Sequence, residues 1–127
     1  MHDTQMYRLW NKKEIRNERG DIKNMQFLLI AYDATDEGAL ARRMAAREAH
    51  LAYAEGQKTR GELLYGGAIL DSEGKMIGSC GVYDFPDRES LSEAMAKDPY
   101  ITGKVWNTIT VQQYRVAPFF AAKAGAA

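Results

Sequence analysis

One cysteine, two histidines, three prolines and no surplus of either charge, 17 basic side chains against 17 acidic, are spread over 127 residues. Each shortage excludes something. A lone Cys80 rules out an intrachain disulfide and fits a reducing compartment. Set in "GSCGV", it has no basic neighbour in sequence to activate its thiol, and reads as a small buried packing residue. Two histidines and one cysteine, spaced as they are, give no metal-site pattern, so no metal is expected. Balanced charge without a dense cationic run leaves no footprint for a phosphate backbone, so nucleic acid is not an expected partner. No apolar run approaches the roughly 20 residues of a membrane span, and the N-terminus lacks the apolar core of a signal peptide. No membrane is expected as a partner, and a cytoplasmic location is. Neither a Walker-type loop nor Gly-x-Gly-x-x-Gly occurs, which argues against nucleotide binding of those kinds and for chemistry without a cofactor.

What is present suits one globular domain, at 46% hydrophobic and 27% charged. Residues 1–24 show no sustained apolar period and read as an N-terminal extension, with His2 solvated. The "NERGD" segment ahead of Met25 admits purine-rich codons resembling a ribosome-binding site, so Met25 is an expected alternative start, which N-terminal sequencing of natively expressed protein tests. The domain proper spans 25–118. "MQFLLIAYD" (25–33) is apolar on both alternating faces, Met25, Phe27, Leu29 and Ala31 on one, Leu28, Ile30 and Tyr32 on the other, which predicts a strand covered on both sides. Asp36 and Glu37 precede a long helix over 38–59, rich in Ala, Leu, Met, Arg and Glu. "ELLYGGAILD", "SEGK" and "MIGSCGVYDF" predict a hairpin. Asp87 is placed to cap the helix "RESLSEAMAKD", which Pro99 stops at Asp98. "NTITVQQYRVA" predicts the last strand, and 119–127 a frayed tail. The order βαββαβ implies an α+β, ferredoxin-like antiparallel sheet with two helices on one face. Its other face, apolar and uncovered, implies a symmetric homodimer joined sheet to sheet.

The chemistry-bearing residues stand where carbon is expected. Leu40, Met44, Arg47, Leu51 and Ala54 form one stripe of the long helix, with His50 at its edge beside Arg43, Ala46 and Gln57. A buried imidazole or guanidinium needs an acceptor. On the second helix, Leu91 and Met95 lead by i, i+4, i+7 to Asp98, so side-by-side helices bring His50 and Asp98 together. A carboxylate holding an imidazole in one tautomer suits general acid–base work. The competing explanation is a structural histidine satisfied by a helix or loop group. Arg47 either grips a substrate carboxylate with its planar fork or forms an internal ion pair. Ser79, between Gly78 and Cys80, offers a hydroxyl where glycines, Gly66 and Gly67 on the facing strand included, leave room for a ligand or mark a bulge. Tyr100 either reaches the pocket or packs. A Ser79–His50–Asp98 triad can be written, but no nucleophile-elbow sequence surrounds the serine.

"FLLIAYD", "REAHL", "GSCGVYDF" and "AKDPY", in this order and spacing from Met25 to about Pro118, resemble the YciI-like (YCII-related) family. The resemblance implies a ferredoxin-like fold forming a dimeric α+β barrel, and an active site on a histidine and an aspartate, which map to His50 and Asp98. Arg47 matches the family's Arg, and Gly78 and Ser79 its Gly-Ser. Most members have no assigned reaction. One relative resembles a dehydrochlorinase acting on a chlorinated hydroxyquinol, and the fold is shared with muconolactone isomerases. This chain departs in its long start and in "REA", where others often carry Pro after the Arg. The expectation is a cofactor-free lyase or isomerase with a His50–Asp98 dyad, with Arg47, Ser79, Tyr100 and Gly67 around a small-molecule substrate. The alternative is a non-catalytic dimeric module that holds a metabolite in the same cleft.

Overall fold

The computed structural model describes residues 24–120. The expected extension, apart from Asn24, and the expected tail beyond Phe120 lie outside the described residues. The elements run β1 (Met25–Asp33), α1 (Ala39–Thr59), β2 (Leu63–Leu70), β3 (Met76–Phe85), α2 (Arg88–Ala96), α3 (Pro99–Thr102) and β4 (Trp106–Tyr114). The sheet order is β2-β3-β1-β4, every pair antiparallel. This is the ferredoxin-like α+β arrangement, with one helical turn, α3, added before the last strand. No helix among the described residues is long and apolar enough to cross a membrane.

Alternation in β1 decides which face the helices cover. Phe27, Leu29 and Ala31 are all within 1% of complete burial. They pack with Leu91 of α2 and Tyr100 of α3, and Ala46 of α1 lies against the same cluster. Burying Phe27 and Leu29 contributes roughly 1.5–3 kcal/mol each. The opposite side carries Leu28, Ile30 and Tyr32 of β1. Their direct cross-strand partners on β3 share that face, Leu28 opposite Val82 and Ile30 opposite Cys80. Leu28 and Ile30 are only half-buried and Tyr32 is exposed, so β1 is covered on one side within the chain. Cys80 is accordingly half-buried on this open face, not a buried core residue.

Local chemistry accounts for the connections. In the β2–β3 loop Asp71 Oδ1 accepts from the backbone N–H of Glu73 and of Lys75, and Gly74 takes φ 85°, a conformation glycine adopts without Cβ strain. Asp87 caps α2 as expected, accepting from Ser90 N at 2.7 Å. The start of α1 differs: Gly38 is the capping residue, and Asp36 instead pairs with Arg42.

Two expectations about the helices need correction. The Leu40, Met44, Arg47, Leu51 stripe of α1 is left exposed, while Ala39, Arg43 and Gln57 are buried and Ala46, His50 and Tyr53 half-buried on the inner side. Hydrophobicity alone pointed to the wrong face because Arg43 has a carboxylate, that of Asp33, waiting inside the fold. Asp98 also does not continue the α2 stripe. That helix ends at Ala96, and Asp98, extended at φ −69°, ψ 131°, caps α3. The residue before a proline is pushed out of helical geometry, and Pro99 then opens the next turn.

Candidate functional site

A cavity of about 470 Å³ lies between α1 and the helix-facing side of β2 and β3. Its closed end is built from side chains that hold one another. His50 Nδ1 and Asp98 Oδ1 are 2.7 Å apart. The same oxygen accepts the backbone N–H of Tyr100 at 2.9 Å, so the cap of α3 is also the partner of the imidazole. A carboxylate only accepts, so Nδ1 is the donor in this contact, and in the neutral imidazole that tautomer puts a lone pair on Nε2. Among the described residues Nε2 has no hydrogen-bond partner, and His50 lines the cavity. Tyr53, one turn along α1, donates to Ala94 O at 2.6 Å and fastens α1 against α2 beside the pair.

The His50 ring stacks on Tyr100 with centroids 3.7 Å apart and planes 7° from parallel. Trp106 meets both rings edge-on. Burial pushes the Tyr100 phenol above its ordinary range, against the opposing pull of Arg43 and Arg47, so it stays protonated and able to donate at neutral pH. The Arg43 guanidinium lies 4.8 Å from the Tyr100 ring centroid.

Arg43, 2% exposed, gives Nη1 to both oxygens of Asp33 at 2.9 Å and Nη2 to Gly78 O and Ser79 Oγ. Ser79 Oγ also accepts Trp106 Nε1 at 3.0 Å. Two donors occupy the two lone pairs of the hydroxyl, so its own proton is left to be given away. Ser79 therefore bonds to Arg43 and Trp106, not to His50, and the Ser79–His50–Asp98 triad does not form.

The expected residues thus divide. His50, Asp98, Ser79 and Tyr100 meet at the closed end. Arg47 lines the cavity but is exposed, and among the described residues it forms no ion pair. Gly67 also lines the cavity, yet a Cβ there would meet nothing within 4 Å. Its neighbour Gly66 is tighter, since a Cβ there would lie 3.1 Å from Cys80 O, and at Gly81 a Cβ would come within 2.8 Å of the Tyr83 ring. Arg43, Asp33 and Trp106 were not singled out in the sequence as site residues. A signal for Arg43 existed: it stands seven residues before His50, on the same helical stripe. Among the described residues no cluster of His, Cys, Asp or Glu suits a metal ion.

Among solved structures, this chain is similar to the 5-chloro-2-hydroxyhydroquinone dehydrochlorinase of Burkholderia phenoliruptrix AC1100 in complex with 2,5-dihydroxybenzoquinone, at TM-score 0.65 and 23% identity, covering 75% of this chain and 98% of that one. At that identity the likeness speaks for the fold alone. A dimeric ferredoxin-like protein of unknown function from Jannaschia sp. CCS1 overlaps more loosely, at TM-score 0.43 and 18% identity over 72% of this chain and 99% of that one. SnoaB, a cofactor-independent oxygenase from Streptomyces nogalater, does so at 0.42 and 12%, over 76% and 98%. No curated protein matches. The pattern of the YCII-related domain matches residues 25–116, most of the sequence. The chain belongs to the YCII-related domain family.

Proposed function

We propose that this protein is a cofactor-independent lyase or isomerase acting on a small, oxygenated, ring-derived substrate, with His50 as general base. The observation that carries the proposal is an imidazole at the wall of a cavity, one nitrogen held 2.7 Å from Asp98 and the other, Nε2, without a hydrogen-bond partner among the described residues. Nε2 takes a proton from a carbon beside a carbonyl. In elimination, the C–H electron pair becomes the new double bond and the leaving group departs with its own pair; in isomerisation, the proton is returned at another carbon of the conjugated system. Charge developing on the carbonyl oxygen is met by the Ser79 hydroxyl proton, the Tyr100 phenol and Arg47, which has no ion-pair partner among the described residues. Asp98 keeps the imidazole in the tautomer and orientation the transfer needs. The 2,5-dihydroxybenzoquinone bound to the dehydrochlorinase from Burkholderia is a flat oxygenated ring of the kind this reading seats beside His50 in the cavity.

A panel of lactones and halogenated hydroxyquinols, assayed with wild type and His50→Ala, tests this. Turnover that falls about 10²–10⁴-fold in the variant supports acid–base catalysis by His50. Saturable binding without turnover by either protein points instead to a metabolite-holding module. Asp98→Asn leaving turnover unchanged removes the dyad from the mechanism.

We further infer that two copies join through the open sheet face, since Leu28, Ile30, Tyr32 and the 80%-exposed Tyr65 leave it apolar. Sedimentation of Tyr32→Glu at monomer mass, against dimer mass for wild type, is the expected result; a wild-type monomer overturns it.

A further inference from the structure

We propose that the substrate is two-ended: an oxygenated ring at His50, joined by an apolar linker to a carboxylate that pairs with Lys58. The inference rests on the reading of His50 as the base and extends it to the far end of the cavity. A single ring does not fill about 470 Å³; that volume lies within the roughly 300–1,000 Å³ of sites that take larger ligands. The wall is a helix, which gives it a length. His50 and Lys58 both line it and are eight residues apart, about 12 Å along the axis at 1.5 Å per residue.

Between those ends the surface is mostly carbon, with Glu55 on it near Lys58. Leu51 and Ala54 on α1 and Leu63 and Leu64 on β2 all line the cavity, and Leu51 and Leu64 are left 47% and 37% exposed. A linker of methylene groups removes that surface from water, whereas a one-ring substrate at His50 leaves it bare. Charge over the cavity as a whole favours an anion. Arg43 is neutralised by Asp33, so the charged groups lining the cavity that stay unpaired among the described residues are Arg47 and Lys58 against Glu55. Arg47 stands three residues before His50 and serves the reacting end. Lys58, on its flexible stem, serves the other.

Isothermal titration calorimetry with para-hydroxyphenyl alkanoates, from para-hydroxybenzoate to the five-carbon acid, reads this directly in the full chain. Affinity is expected to rise with each added methylene. Lys58→Ala is expected to weaken the longest acid about fivefold, the scale of an exposed ion pair, while leaving its methyl ester unchanged. Equal affinity of acid and ester, indifference to Lys58→Ala, or no binding by any member overturns the proposal. Binding requires no proton transfer, so these results stand apart from the fate of His50 as a base: His50→Ala keeps the chain-length dependence if the two-ended site is right.

Discussion

Arg42 and Arg43 are consecutive on one helix, and each reaches back to an aspartate in the segment before it. Arg42 binds Asp36 through two nitrogens, at 2.9 and 2.7 Å; Arg43 binds Asp33 through one, at 2.9 Å to either oxygen. The side chains of the first pair are 35% and 54% exposed, those of the second 2% and 6%. Near-identical chemistry therefore has opposite consequences. Water screens the outer pair and stands ready to replace either partner. Nothing replaces a partner of the inner pair, so its worth lies in what its rupture leaves behind, a buried charge without a counterion. The inner pair also belongs to the site, because Arg43 continues to Gly78 O and Ser79 Oγ and fixes which way the serine proton points.

Three measurements sharpen that contrast. The largest effect is expected from Arg43→Ala, which strands Asp33 inside and should lower unfolding free energy in urea by about 3–5 kcal/mol; a loss below about 1 kcal/mol, the scale of a solvent-exposed pair, would mean that water reaches Asp33 after all. Ser79→Ala follows, because it deprives Arg43 Nη2 and Trp106 Nε1 of a shared acceptor and should cost about 1–3 kcal/mol, with a change in the Trp106 indole N–H resonance as its local signature. The smallest belongs to the outer pair. Hydrogen bonding from the Arg42 side chain draws the Asp36 carboxyl down from 3.8 to about 2. A lowered folded value means the pair stabilises the fold above the unfolded value and that this contribution fades as pH falls from 3.8 toward about 2. Arg42→Ala should return the Asp36 carboxyl to the ordinary range in an NMR titration and leave the neutral-pH unfolding midpoint almost unmoved.

The fold was legible in the sequence because its signals are local. Alternation located β1, Gly74 supplied the hairpin turn, and Asp87 announced α2. The rotation of α1 was not legible. Leu40, Met44 and Leu51 make the better apolar stripe, and only a long-range fact, the carboxylate of Asp33 and the carbonyl of Gly78 meeting at one point, turns Arg43 inward. Asp98 shows a second limit. Helical periodicity led to Asp98 for a reason the structure does not share, since capping after a proline-enforced break, and not a continuing helix, puts its oxygen against His50. Trp106 illustrates a third, because nothing in a β-rich closing segment tells that its indole will reach Ser79 across the core.

One oxygen of Asp98 receives both the Tyr100 amide and the imidazole. Fraying of a four-residue turn and release of the histidine are therefore coupled, and hydrogen exchange at the Tyr100 amide should serve as a clock for how often the pair comes apart.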